Sequence, residues 1–354
     1  MQYNMIDLLQ HASTNRVSDV HITVGLPPIF RINGRLVSAG KEILTQDDTE
    51  SLIGTLLNDE AMAQLASRGE MDLSFALPRI GRFRVNAFRQ RKSLAAAIRV
   101  IRPTVPTIEE LELPPILKEV ALRRSGLFLV TGPGGSGKSS TMAAMLRYIN
   151  ESRSCHVITI EDPIEYTHKH GQAIINQREI GDDTKSFDAG LRAALREDPD
   201  VIFVGEMRDL DTISTAITAS ETGNFVLSTL HTTSAVQTID RLIDVFPVHQ
   251  QQQIRIQLAM VLQGILTQSL IPTSDGDGQV VAYELLIAND QVRNVIREGK
   301  TYQLNALMQA NIRPDMIPMD YSLAQLVRSG RITREHALSR CIDLDALRRY
   351  LGER

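Results

Sequence analysis

Eight residues constrain this 354-residue chain more than any other stretch. Gly132, Pro133, Gly134, Gly135, Ser136, Gly137, Lys138 and Ser139 form a complete GxxxxGK(S/T) phosphate-binding loop. An apolar run at 127–130 precedes it and reads as a strand, and a helical stretch at 139–149 follows. That is the context the motif requires. The glycines let successive backbone N–H groups face one concavity, and the helix N-terminus adds partial positive charge. Such a loop binds a nucleoside triphosphate. Lys138 reaches the β- and γ-phosphates, the Ser139 hydroxyl ligates Mg²⁺, and Ser140 completes the binding set.

Three further clusters each end an apolar strand. Residues 201–204 are apolar and run into Gly205 and Glu206. An acidic residue there lies at the C-terminal edge of the strand, where ligands bind in open α/β sheets. Gly205 stands where a metal-binding Asp is usual, so Glu206 is expected to orient water rather than ligate Mg²⁺ directly. Residues 157–160 lead into Glu161, Asp162, Pro163 and Glu165, an acidic turn able to hold water, a metal or a proton. Residues 225–228 lead into Thr229 and His231, expected to sense the γ-phosphate. Such strands alternating with helices predict a parallel sheet covered on both faces.

The N-terminal part reads differently. Met5, Leu8, Leu9 and Ala12 recur at helical spacing. Residues 29–32 and 35–37 flank Asn33 and Gly34, a type I′ hairpin signal. A helix near 47–57 and strands at 71–75, 82–88 and 94–101 complete a small α+β domain over 1–102. Four prolines mark a linker at 103–115, and the second domain is expected over 116–354. Beyond Gln250 the pattern is mostly helical, interrupted by a strand at 280–286. Between Leu73 and Ile108 there are eight basic residues and no acid, seven of the eight being arginine. The run reads as a solvated sheet face or, because planar, bidentate recognition of phosphate favours arginine, as arginine fingers supplied across a domain or subunit boundary.

Composition narrows the class. Net charge is −4, which gives no general case for a nucleic-acid partner. Two cysteines, Cys155 and Cys341, argue for a reducing compartment and against a four-cysteine zinc site. No run approaches the ~18 apolar residues of a membrane span, and the start lacks a signal-peptide pattern. A cytoplasmic protein able to dock on a membrane protein is expected.

Taken together, these clusters resemble those of the secretion-ATPase superfamily, and within it the PilT-type type IV pilus retraction ATPases. The resemblance runs through the phosphate loop, the acidic box at 159–166, the strand-end box at 201–206 and the His box at 228–233. It extends to Ser18, Asp19, Val20 and His21 near the start and to the stretches 195–200, 205–209 and 240–247. It implies a RecA-like P-loop ATPase core with a smaller α+β, PAS-like N-terminal domain, assembled as a homohexamer. It also implies ATP and Mg²⁺ as cofactors, Glu165 and Glu206 as catalytic carboxylates, and Arg84 and Arg99 as interfacial arginines. The implied partner is an inner-membrane pilus platform protein, and the implied location is peripheral to the cytoplasmic face of that membrane. Residues 291–298 match the family's coupling box in a degenerate form, with Arg293 and Arg297 kept. Two alternatives stay open. A PilU-type accessory retraction ATPase shares the size and all four boxes. A RecA-like nucleic-acid motor takes support from the basic run, against which stand net acidity and only two interleaved aromatics, Phe83 and Phe88.

Overall fold

A computed structural model describes residues 3–15, 17–32, 35–77, 80–101, 104–276 and 278–353. The expected turn at Asn33 and Gly34, Arg79 of the basic run, and Arg102 and Pro103 at the expected boundary lie outside the described residues. The chain forms two compact units, Met1–Thr104 and Val105–Arg354.

The first unit is a six-stranded antiparallel sheet with helices, the α+β arrangement expected from the sequence. Its strands are β1 (Val17–Ile22), β2 (Ile29–Ile32), β3 (Arg35–Ser38), β4 (Glu70–Leu77), β5 (Gly81–Gln90) and β6 (Ser93–Ile101), in the order β3-β2-β1-β6-β5-β4. The first helix, Met5–Thr14, buries Met5, Leu8, Leu9 and Ala12, the four residues that its periodicity selects. One helix was expected near 47–57. The chain instead forms two, Gln46–Gly54 and Asp59–Arg68, the second capped by Asn58 and closed by Gly69 at a φ of 86°.

The second unit contains the mixed sheet of β7 (Gly126–Thr131), β8 (His156–Glu161), β9 (Ile174–Glu179), β10 (Val201–Val204), β11 (Phe225–Leu230), β12 (Leu262–Pro272), β13 (Gln279–Ile287) and β14 (Met316–Ile317). Their order is β14-β13-β12-β7-β11-β10-β8-β9. Every pair from β9 to β12 is parallel, and β13 and β14 add antiparallel strands at one edge. All residues of β7, β10 and β11 are buried, as a sheet covered on both faces requires. One core packs helices around Ile213, Leu242 and Leu258 on one side of the sheet. The other packs Met142, Leu146 and Leu117 on the opposite side, and Ile108 and Leu113 from the proline-bearing segment join it.

Beyond Gln250 the chain is mostly helical, and the strand expected at 280–286 is β13, but β12 was not foreseen. β12 and β13 run eleven and nine residues through that region. β12, with the sequence LQGILTQSLIP, has its central residues buried beside β7, so it shows no alternation to separate it from a buried helix.

Candidate functional site

Register builds the site. Val204 at the end of β10 lies level with Ile160 on β8 and Ser228 on β11. The residues that follow, Glu161, Gly205 and Thr229, therefore lie side by side at the C-terminal edge of the sheet. β7 lies next to β11 and runs directly into the phosphate loop. Four strand ends thus deliver the four boxes to one edge, where they line a cavity of about 220 Å³.

The loop has the conformation the motif demands. Gly132, Gly135 and Gly137 have φ angles of 142°, 74° and 90°. A Cβ at Gly132 would lie 2.6 Å from Ser136 Oγ and closer still to the Gln268 carbonyl. Gly137 caps the helix Lys138–Ser152, whose free N–H groups face the loop. The Lys138 ammonium donates to the Gly132 and Pro133 carbonyls at 2.8 and 3.0 Å and lies 3.5 Å from His231 Nδ1. Burial pulls the Lys138 pKa down, against the upward pull of Glu206 and Glu165. Ser136 Oγ is buried and makes no hydrogen bond within the chain. An orphaned hydroxyl, a half-desolvated ammonium and a helix N-terminus together fit a bound phosphate group.

The acids divide into three environments. Ser139 Oγ donates to Glu165 Oε1 at 2.7 Å, on an exposed stretch of the acidic box. Glu206 lies between Arg208 at 2.7 Å and His231 Nε2 at 3.3 Å. Burial pushes the Glu206 pKa up, but Arg208 and His231 outweigh it and hold the carboxyl below the usual range. Glu161 is buried, accepting from Thr159 Oγ1 at 2.7 Å and Gln177 Nε2 at 3.0 Å. Burial pushes it up to about 7.

No group of three or more His, Cys, Asp or Glu able to hold a metal occurs among the described residues. A divalent cation at this edge would take the Ser139 hydroxyl and phosphate oxygens rather than a protein cage, which is how Mg²⁺ is usually held. Gly205 explains itself sterically. A Cβ there would come 3.1 Å from the Ile160 carbonyl, so any side chain at this position would need β8 to give by a few tenths of an ångström.

The structure thus brings Lys138, Ser139, Glu165, Glu206 and His231 to one cavity, with Ser140 tied to Tyr166 at 2.7 Å beside it. Arg84 and Arg99 lie in the first unit, on β5 and β6, directly opposite each other in register. Sequence reading missed Arg208 and Gln177. Arg208 follows the strand-end Glu by two residues, which was the available signal. Gln177 lies on β9, an edge strand whose pattern was not recognised. In the degenerate box, Arg293 donates to the Ala259 and Met260 carbonyls at 2.6 and 2.7 Å and so satisfies the last turn of the helix Val248–Val261.

Fold and site define a P-loop nucleotide-hydrolysing protein. The comparisons with known proteins sharpen that class. Residues 4–292 match the Type II/IV secretion system protein family, and the chain belongs to it. It is 44% identical to the type IV pilus retraction ATPase PilT of Pseudomonas aeruginosa, over 94% of this chain and 97% of that one. It is 42% identical to a twitching motility protein of Neisseria gonorrhoeae, over 98% and 92% of the two chains. A crystal structure of the pilus retraction motor PilT with bound ADP superposes with a TM-score of 0.92 at 47% identity, covering 98% of this chain and 100% of that one. The chain is an ATPase of this family. No helix among the described residues is long and apolar enough to cross a membrane.

Proposed function

We propose that this chain is the motor of type IV pilus retraction. It hydrolyses ATP as a homohexamer and works on an inner-membrane platform protein from the cytoplasmic face of that membrane. The observation that carries this reading is the likeness, along nearly the whole chain, to a retraction motor crystallised with ADP. The PilU-type reading shares the same boxes but draws less on that likeness.

The proposed chemistry follows from the site. Lys138 leaves its two carbonyl partners to face the β- and γ-phosphates. Mg²⁺, held through the Ser139 hydroxyl, would supply charge neutralisation. Glu206 stays ionised because Arg208 and His231 hold it so. A carboxylate held below its usual pKa is a weak base, so its role is to orient and polarise the attacking water. That suffices for a loose phosphoryl-transfer transition state, in which positioning and electrostatics dominate. Glu165 sits on the Ser139 hydroxyl and orients the opposite side of the same cavity.

Arg84 and Arg99 are proposed as the fingers that complete this site from a PAS-like first domain, across a domain or subunit boundary. Like charges directly opposite on a sheet are destabilising. The pair is tolerated through Asp72, 3.9 Å from Arg84, and Asp19, 3.2 Å from Arg99. Both arginine side chains remain well exposed, at 43% and 67%.

Deleting the gene and scoring pili and twitching tests the reading. Hyperpiliated, non-motile cells are expected. Bald cells would mean assembly instead, and normal cells would end the assignment.

A further inference from the structure

Glu284 lies on β13, outside the nucleotide cavity, and is only 4% exposed. Its Oε1 accepts from the backbone N–H of Ala235 at 2.6 Å, and the Met319 amide lies near enough to pull its pKa down as well. Ala235 is the first residue of the helix Ala235–Asp244 and follows His231 by four positions. Met319 is the first residue of the helix Met319–Arg328. One buried carboxylate thus satisfies an orphan donor at the start of one helix and lies near the start of a second, where the helix dipole favours negative charge.

A carboxylate is a costly way to cap a helix. Burial pushes the Glu284 carboxyl up to about 7, the Ala235 amide pulls it back, and nearby Asp320 adds to the upward push. Ser234 already serves as the ordinary cap of the helix Ala235–Asp244, accepting from the Gln237 amide at 3.2 Å. Glu284 therefore adds an anchor where a cheaper cap is already present.

What that anchor fixes is the turn carrying His231. On the strand side, Ser228 and Thr229 donate to the Val204 and Gly205 carbonyls at 2.7 and 2.6 Å. On the helix side, Thr232 meets Thr238 at 2.7 Å and Thr233 donates to Gln237 at 2.8 Å. His231 itself is half-exposed, and among the described residues its ring reaches only Glu206 and Lys138. The ring's orientation is thus set by the turn and by what holds the helix start in place.

We propose that Glu284 is a positioning residue for ATP hydrolysis. By pinning Ala235 it fixes the turn that presents His231 to Glu206, and through its own place on β13 it ties that turn to the sheet. The proposal rests on the ATPase reading of the cavity.

The test is steady-state ATPase of the purified full-length protein, with thermal unfolding measured in parallel. Glu284→Ala is expected to lower kcat roughly ten- to hundredfold, as small misplacements of a catalytic group do, while KM for ATP stays within about twofold. Glu284→Gln keeps an acceptor for Ala235 and is expected to recover most of the loss. In a His231→Ala background, Glu284→Ala is expected to have no further effect on kcat, because its influence passes through that ring. If Glu284→Ala multiplies the loss equally in both backgrounds, or lowers only the unfolding temperature, the positioning role is wrong. Should Glu284→Ala fail to fold, Glu284→Asp carries the same comparison, since it keeps the charge and shortens the reach. A wild-type protein that does not turn over ATP would sink the ATPase reading instead.

Discussion

The phosphate-loop edge of the second unit and the arginine face of the first handle charge in opposite ways. At the loop edge Lys138, Glu165 and Glu206 each have partners within their own unit. Lys138 rests on two carbonyls, Glu165 on Ser139, and Glu206 between Arg208 and His231. On the sheet of the first unit two arginines stand side by side, exposed and only loosely paired. The closed edge is preorganised to bind and costs little reorganisation. The open face has donor capacity left over, because a guanidinium carries five N–H groups and one carboxylate occupies few of them. Binding is therefore expected to be a property of the second unit alone, and fast hydrolysis a property of both.

The largest effect should come from the closed edge. Lys138→Ala removes the only lysine among the residues that line the cavity. Nucleotide-dependent activity is expected to vanish. Turnover at the wild-type rate in the purified variant would overturn the assignment of this loop. Glu206→Gln should come next. The carboxamide keeps the shape but loses the charge that Arg208 and His231 hold, so ATP still binds while hydrolysis falls by about 10²–10³-fold, the usual loss when one preorganised electrostatic group is removed. Fluorescent-nucleotide titration separates the two effects. Loss of binding together with turnover would make Glu206 structural.

The same contrast explains what the sequence made legible. The closed edge was readable because each box is contiguous and each follows an apolar strand, so topology alone brings the boxes together. Arg208 was missed because its role depends on the direction of one side chain. The open face was misread in one respect. Residues 73–108 hold no acid, but Asp19 and Asp72 reach Arg99 and Arg84 across strands β1 and β4, a relation no local window contains. β12 and the helix Asp59–Arg68 escaped for simpler reasons. The first is buried through its middle and shows no alternation of apolar and polar residues, and the second lies directly behind another helix with only Asn58 to announce it.

Testing whether hydrolysis needs both units comes third in size. Arg84→Ala and Arg99→Ala are each expected to lower turnover at least about tenfold, since arginine fingers supply up to 10³–10⁵ elsewhere. The isolated second unit should bind ATP and barely hydrolyse it. The unit should begin at Val105, because Ile108 and Leu113 are part of its core. Full-rate turnover by that fragment or by either alanine variant, with mass checked by light scattering, would reduce the arginines to a solvated face.

The smallest effect sharpens the comparison in stability rather than rate. Glu161 shows what the closed edge costs to maintain. Burial raises its carboxyl to about 7 from the ordinary 4.5, although Thr159 and Gln177 donate to it. Between those two pH values the folded chain holds a proton that the unfolded chain has released. Stability contributed by this group therefore falls as pH rises from 4.5 to 7 and levels off above that window. Glu161→Gln keeps the shape and an acceptor for both donors but never ionises. At pH 8 the variant is expected to be more stable than the wild type by on the order of 2–3 kcal/mol. Below pH 4.5 the two should converge, because both side chains are then neutral. Glu284 titrates in the same range in both proteins and cancels in the difference. Denaturant unfolding of wild type and variant from pH 4 to pH 8 reads that difference directly. A gap that does not change with pH would mean that Glu161 titrates alike in the folded and unfolded chains, and that the closed edge carries no such cost.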